Sequence, residues 1–119
     1  GTLVKPEAPN AVKLESFIFD ALPLASTTII LEADRKECFA PTKNATGVDS
    51  AESCRAMLCA RDARRMDLAG IPVPRKADGS PDCTVELSPR KIFDDADAVE
   101  FFRKNPVKAP ERGACVAYE

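Results

Sequence analysis

The first ten residues show no periodic apolar pattern, and Pro6 and Pro9 each disfavour helix at the residue before them. Asn10 is suited to cap a helix. Leu14, Phe17, Ile18, Ala21 and Leu22 then recur at helical spacing and predict one buried helix face, ended or kinked at Pro23. Residues 27–33, TTIILEA, are β-branched and continuously apolar in the middle, which predicts a strand buried on both faces of a parallel sheet. A polar stretch follows over 34–49, with Pro41 and Gly47, long enough for a structured loop with a function.

Asp49 with Glu52 has the spacing of a capping box and predicts a helix over 50–68. Ala51, Cys54, Met57 and Leu58 are expected to face inward, and Arg61, Arg64 and Arg65 to form a solvated basic face near the end, where cations suit the helix dipole. Gly70 fits the C-terminal cap. Residues 71–82 are rich in Pro, Gly and charge, and predict a loop or irregular hairpin. Alternation over 83–87 predicts a half-buried strand. Asp94 or Asp95 can start a third helix to Lys104, with Val99 and Phe102 inward and Asn105-Pro106 as its stop. A last strand is expected over 114–118.

This order predicts an α/β chain whose front looks like the end of a sheet domain and whose back is a small α+β unit, with the boundary near 43–49. One buried strand cannot make a parallel sheet alone, so its partner strands are expected in another segment of polypeptide.

Composition narrows the chemistry. With 17 basic against 19 acidic residues, the chain has no general field for nucleic acid or for an acidic membrane. Six Phe, one Tyr and no Trp also argue against a stacking platform for single-stranded nucleic acid. No apolar run is long enough to span a bilayer, and the first ten residues have no signal-peptide core. The five cysteines, Cys38, Cys54, Cys59, Cys83 and Cys115, are odd in number and scattered, which predicts reduced thiols in a cytoplasmic protein. The absence of histidine removes a Ser-His-Asp triad, a Cys-His pair and any His-containing zinc site. Asn44-Ala45-Thr46 matches a glycosylation sequon, but nothing else indicates secretion. Asp94, Asp95 and Asp97 are expected as caps and surface charge, without the spacing of a calcium loop.

Three blocks carry a family resemblance. KPEAPNAVKLESFIFD over 5–20 has the form K-P-x-x-P-N-x-x-K-x-E-x-F-x-F-D, FAPTKNA over 39–45 the form F-x-P-x-K-N-A, and CTVELSP over 83–89 the form C-x-x-E-x-S-P. In these blocks, and over roughly residues 1–90, the chain resembles the eukaryotic UDP-N-acetylglucosamine pyrophosphorylases. It departs from them at RKIFDDAD, 90–97, which lacks the family's glycine-containing loop, and at Ala69-Gly70, where the family has two glycines.

The resemblance implies the end of a Rossmann-like nucleotidyltransferase sheet domain over 1–46, then a small α+β C-terminal domain over 47–119. It implies an enzyme that makes UDP-N-acetylglucosamine and pyrophosphate from UTP and N-acetylglucosamine 1-phosphate. A UDP-glucose or broader UDP-sugar pyrophosphorylase, and a non-catalytic interaction module, are the alternatives. It assigns Lys43 as the catalytic, phosphate-contacting lysine. Phe17, Phe19 and Asn44 are the substrate-binding candidates, the two aromatics near the N-acetyl group. A magnesium cofactor is implied, with no metal ligand expected in this chain. The partners implied are the two substrates and the remainder of the same catalytic domain, with no nucleic acid and no membrane. The five glycines never cluster, so the phosphate-cradling loop of such enzymes is not here. The chain is therefore expected to be a part of a longer polypeptide and inactive alone.

Overall fold

Ser50 sets the start of the longest element. Its hydroxyl accepts from the Ser53 amide at 3.2 Å, and the Ser53 hydroxyl accepts from the Ser50 amide at 2.9 Å. This reciprocal cap begins helix α2, Ala51–Leu68, in the computed structural model, which describes every residue except Thr2 and Val4. The expected cap at Asp49 and Glu52 is thus displaced by one residue. Asp49 instead takes a left-handed backbone, φ 56°, in the turn that leads into the helix. Gly70, at φ 82°, ends α2: its amide bonds to the Asp67 carbonyl at 3.0 Å, and that of Ile71 to Met66 at 2.9 Å. That is a Schellman ending, and it needs a residue tolerant of the left-handed region.

The inward face of α2 differs from the expected one. Cys59, Asp62, Ala63 and Met66 turn to the core at i, i+3, i+4 and i+7, whereas Ala51 and Leu58 are exposed and Cys54 and Met57 only half-buried. An aspartate within the stripe hid it from a purely apolar pattern. The basic face is also corrected: Arg65 is buried and Arg64 is tied to carboxylates on both sides.

Strand β1, Thr84–Leu87, alternates exposed and buried as expected. Helix α3, Asp95–Lys104, then carries the chain across to β2, Cys115–Tyr118, which pairs with β1 in parallel, Thr84 opposite Cys115 and Leu87 opposite Tyr118. Parallel strands require such a crossover. Asp94 caps α3, accepting from the Asp97 amide at 2.8 Å. Ala98 and Phe102 face the core, while Val99, expected inward, is exposed. Phe102 makes edge-to-face contacts with Phe101 and Tyr118, each at 5.2 Å between centroids. The 71–82 segment forms the irregular hairpin expected, with an antiparallel bridge between Arg75 and Pro81. The core of this unit joins Met66, Ile71, Val85, Leu87, Ile92 and Phe102.

The far edge of β1 has no third strand among the described residues. Two side chains of α2 take its place: the Val85 amide donates to the Cys59 sulfur at 3.4 Å, and the Leu87 amide donates to Asp62 at 2.9 Å. Backbone amides buried at a sheet edge are thereby satisfied.

The chain divides into two compact units, 1–32 and 33–119. In the first, every described residue is exposed. The helix expected before Pro23 is a 3-10 helix over Ile18–Leu24, with Pro23 inside it. The strand expected over 27–33 is irregular chain, with Ile29, Ile30 and Leu31 almost fully exposed. Both misses have one cause. A short amphipathic helix is marginal until its stripe is buried, and a strand needs a neighbour for its backbone groups. Neither partner lies among the described residues of 1–32. The coarse class stands: mixed helix and strand with a small parallel sheet, compatible with α/β.

Candidate functional site

The loop before α2 is closed by its own backbone. The amides of Lys43 and Asn44 both donate to the Asp49 carbonyl, at 2.6 and 2.9 Å. The Asn44 side-chain amide donates to the Val48 carbonyl at 2.7 Å, and the Ser50 hydroxyl to that of Gly47 at 2.7 Å. Asn44 and Ser50 form an isolated parallel bridge. The turn passes through left-handed backbone at Gly47, φ 77°, and at Asp49. A non-glycine residue there costs about 1–3 kcal/mol and marks a segment held by its surroundings. These two positions, three residues and one residue before the helix cap, were not visible as turn chemistry beyond the single glycine. Lys43 thus stands on a constrained turn directly ahead of a capped helix, exposed and without an ion pair among the described residues.

A second anchor lies upstream. Asp34 caps helix α1, Arg35–Cys38, accepting from Lys36 at 2.9 Å. Four residues cannot hold a helix alone. Arg64 of α2 fixes it, donating to both oxygens of Glu37 at 3.1 and 2.9 Å and to both oxygens of Asp95 at 2.8 and 2.9 Å. Arg65 adds a 3.3 Å bond to Asp95 and one of 3.0 Å to the Phe93 carbonyl. Hydrogen bonding from Arg64 first, and its charge and that of Arg65 after burial is set against them, hold the Asp95 carboxyl below its ordinary range. The same bonds from Asp95 and Glu37 push the Arg64 guanidinium up. No spacing rule in the sequence singled out Arg64 as the hub, because its partners lie 27 and 31 residues away.

Phe39 follows α1, with the Arg35 guanidinium 4.2 Å over its ring. Phe39, Ala40, Cys54, Met57 and Leu58 border a pocket of about 250 Å³ between α1 and α2. The half-buried Cys54 and Met57 of α2 therefore line a pocket against α1 in place of the core.

Phe17 and Phe19 lie in the other unit. A helical path would set them on opposite sides, but they stack, 5.8 Å between centroids at 28°, with both rings exposed. The structure brings Lys43 and Asn44 together on one turn and Phe17 and Phe19 together in one pair, and the two pairs belong to different units. Among the described residues, no group of three or more Cys, Asp or Glu side chains is placed to hold a metal ion. No helix of the described residues is long and apolar enough to cross a membrane.

Comparison with known proteins adds relatives. The chain is 49% identical over 57 residues to a probable UDP-N-acetylglucosamine pyrophosphorylase of Caenorhabditis elegans, covering 46% of this chain and 12% of that protein. It is 33% identical over 103 residues to the mouse UDP-N-acetylhexosamine pyrophosphorylase-like protein 1, covering 75% of this chain and 20% of that protein. It is 42% identical over 84 residues to UDP-N-acetylglucosamine diphosphorylase 2 of Arabidopsis thaliana, covering 66% and 16%. No family model and no solved structure matches. The chain is thus related in sequence to the UDP-N-acetylglucosamine pyrophosphorylases and their UDP-N-acetylhexosamine pyrophosphorylase-like relatives, over a segment that spans 12–20% of their length.

Proposed function

We propose that this chain is the C-terminal part of a cytoplasmic uridylyltransferase that makes UDP-N-acetylglucosamine and pyrophosphate from UTP and N-acetylglucosamine 1-phosphate. The observation that carries the reading is the similarity, at 42–49% identity, to proteins named as UDP-N-acetylglucosamine pyrophosphorylase or diphosphorylase. On this reading residues 1–46 complete a Rossmann-like catalytic sheet supplied by the rest of the polypeptide, and 47–119 form the appended domain.

In such a transfer an oxygen of the sugar 1-phosphate bonds to the α-phosphorus of UTP, and the bond from that phosphorus to pyrophosphate breaks. Charge builds on the phosphoryl oxygens, and a fixed cation stabilises it. Lys43 is suited to that role: its backbone is tied to Asp49 at 2.6 Å and its ammonium is exposed. Asn44, whose amide is committed to Val48, holds the turn that aims it. The exposed rings of Phe17 and Phe19 suit apolar contact with the N-acetyl group. The phosphate-cradling loop and the ligands of magnesium would lie outside this chain.

Steady-state kinetics of Lys43→Ala in the full-length enzyme tests the assignment. The loss falls on kcat more than on substrate affinity, by about 10²–10³ in rate, the usual cost of one preorganised electrostatic contact. Lys43→Arg restores only part, since a planar guanidinium does not replace a compact ammonium. A near-wild-type kcat for Lys43→Ala removes Lys43 from the site. Sustained pyrophosphate release by the 119-residue chain alone removes the reading of it as a part.

A further inference from the structure

Two cysteines meet where α2 packs on β1. Cys59 sits on the inward face of α2, and its sulfur lies 3.4 Å from the Cys83 carbonyl oxygen and 3.4 Å from the Val85 nitrogen. Cys83 directly precedes β1 and is buried in step with Val85 and Leu87, so it shares the face turned to α2. Both residues line one cavity of about 580 Å³ that runs along α2 to the 75–81 hairpin, with Arg55 and Lys76 also on its wall. The cavity gives a small polar reagent a route to a pair that is otherwise half-buried and buried. The other thiols have no such arrangement: Cys38 and Cys115 are exposed, and Cys54 lines the separate pocket beside Phe39. Cys54 and Cys59, five residues apart, point about 140° from each other around the helix.

We propose that Cys59 and Cys83 form a peroxide-sensitive modification site that closes into a disulfide between α2 and β1. The half-exposed Cys59 reacts first. Its thiolate attacks one oxygen of hydrogen peroxide, an S–O bond forms, the O–O bond breaks, and hydroxide leaves. Cys83 then attacks the Cys59 sulfenic acid. The S–S bond forms, the S–O bond breaks, and the departing hydroxide takes up a proton. In sum, two thiols are oxidised to a disulfide and one peroxide is reduced to two waters. Burial, and then the neighbouring Cys59, push the Cys83 thiol up, which suits it to the second, resolving step in place of the first. Closure also withdraws the Cys59 sulfur from the Val85 amide, so it opens the edge that α2 otherwise covers.

Peptide mapping of the 119-residue chain tests this. The chain is exposed to one equivalent of hydrogen peroxide, its remaining thiols are alkylated, and trypsin cleaves it without reduction. Cleavage after Arg55, Arg61, Lys76 and Arg90 places Cys59 in peptide 56–61, Cys83 in 77–90 and Cys54 in neither. The expected product is 56–61 joined to 77–90, lighter than their sum by two hydrogens, ahead of any disulfide from Cys38 or Cys115. Hydrogen exchange at the Val85 amide rises on oxidation. Alkylated Cys59 and Cys83 beside oxidised Cys38 or Cys115 overturn the proposal. So does Cys59 carried to sulfinic acid while Cys83 stays alkylated. In Cys83→Ser, a sulfenic acid trapped by dimedone at Cys59 supports the order of steps. Since that variant can fail to fold, the map of the unaltered chain stands as the deciding measurement.

Discussion

Residues 1–32 are richer in Leu, Ile, Val and Phe than residues 33–119, 12 of 32 against 15 of 87, yet only the second unit buries them. In 33–119 the chain returns on itself: α3 carries β2 back beside β1, and α2 closes the far edge. In 1–32 the stripe from Leu14 to Leu22 and the run from Ile29 to Leu31 have no counterpart within the unit to cover them. Apolar content therefore did not decide which half makes a core. Available partners did. Under the proposed function the missing partners are strands elsewhere in the polypeptide.

The sharpest way to break this contrast is a pair of truncations of similar kind, one in each unit. Phe102→Ala empties a site 4% exposed, between Phe101 and Tyr118. It should cost about 3–5 kcal/mol, as large aromatic deletions in cores do. Ile30→Ala, at a side chain 92% exposed, should stay within about 0.5 kcal/mol. Urea denaturation of the two variants measures both. Equal losses would mean that 1–32 takes part in the core of the isolated chain.

The second test strikes the device that closes the β1 edge. Asp62 is 2% exposed; it accepts from the Leu87 amide and from Arg61 at 2.9 and 2.8 Å. Asp62→Ala leaves a buried amide unsatisfied, which costs about 1–3 kcal/mol. Faster hydrogen exchange at Leu87, with the strand pairing to β2 retained, would locate the loss at that edge.

The second unit was largely legible in the sequence, for local reasons. Gly70, the 83–87 alternation, Asp94 and Asn105 are signals that act within a turn or two, and each appears where expected. The first unit was not legible, because its periodic stripe reports a preference that only a remote partner can realise. Two faces inside the second unit were misplaced for a different reason. Asp62 broke the apolar stripe of α2 while serving β1, and Ala98, too small to stand out, took the inward place expected of Val99. The candidate turn was legible as a motif around Lys43, but its closure through Asp49 and Ser50 depends on left-handed backbone that no residue pattern announced. The Arg64 hub depends on folding distance and so left no trace in spacing.

A third test separates the turn from the helix it precedes. Ser50 is fully buried; its hydroxyl both caps α2 and donates to Gly47. Ser50→Ala should cost about 1 kcal/mol, as loss of a helix cap does, and should raise exchange at the Lys43 and Asn44 amides. Unchanged protection of those amides would show that the turn holds without its anchor.

The smallest expected effect concerns pH, and it belongs to the second unit alone. Asp95 is the acidic end of the network that Arg64 and Arg65 make across α1, α2 and α3. Those bonds hold its carboxyl below the ordinary value, so the folded state binds a proton there less readily than the unfolded chain. The sign follows from linkage: a depressed carboxyl contributes stability that is present above its unfolded value, about 3.9, and is lost as pH falls through the folded value beneath it. The side chain is 50% exposed, so solvent screens the pair, and the contribution at neutral pH should be under about 1 kcal/mol. Asp95→Asn should therefore destabilise slightly at pH 7, and the gap between variant and parent should close on acidification below about pH 4. Salt should narrow the same gap at neutral pH, because half-exposed charges are screened. Urea midpoints of the two chains, taken from neutral to acid at low and high salt, supply the measurement. A gap that persists unchanged into acid would assign the role of Asp95 to packing or to its place in the first turn of α3, and would leave Glu37 and the backbone of Phe93 as the groups that hold Arg64 and Arg65 in place.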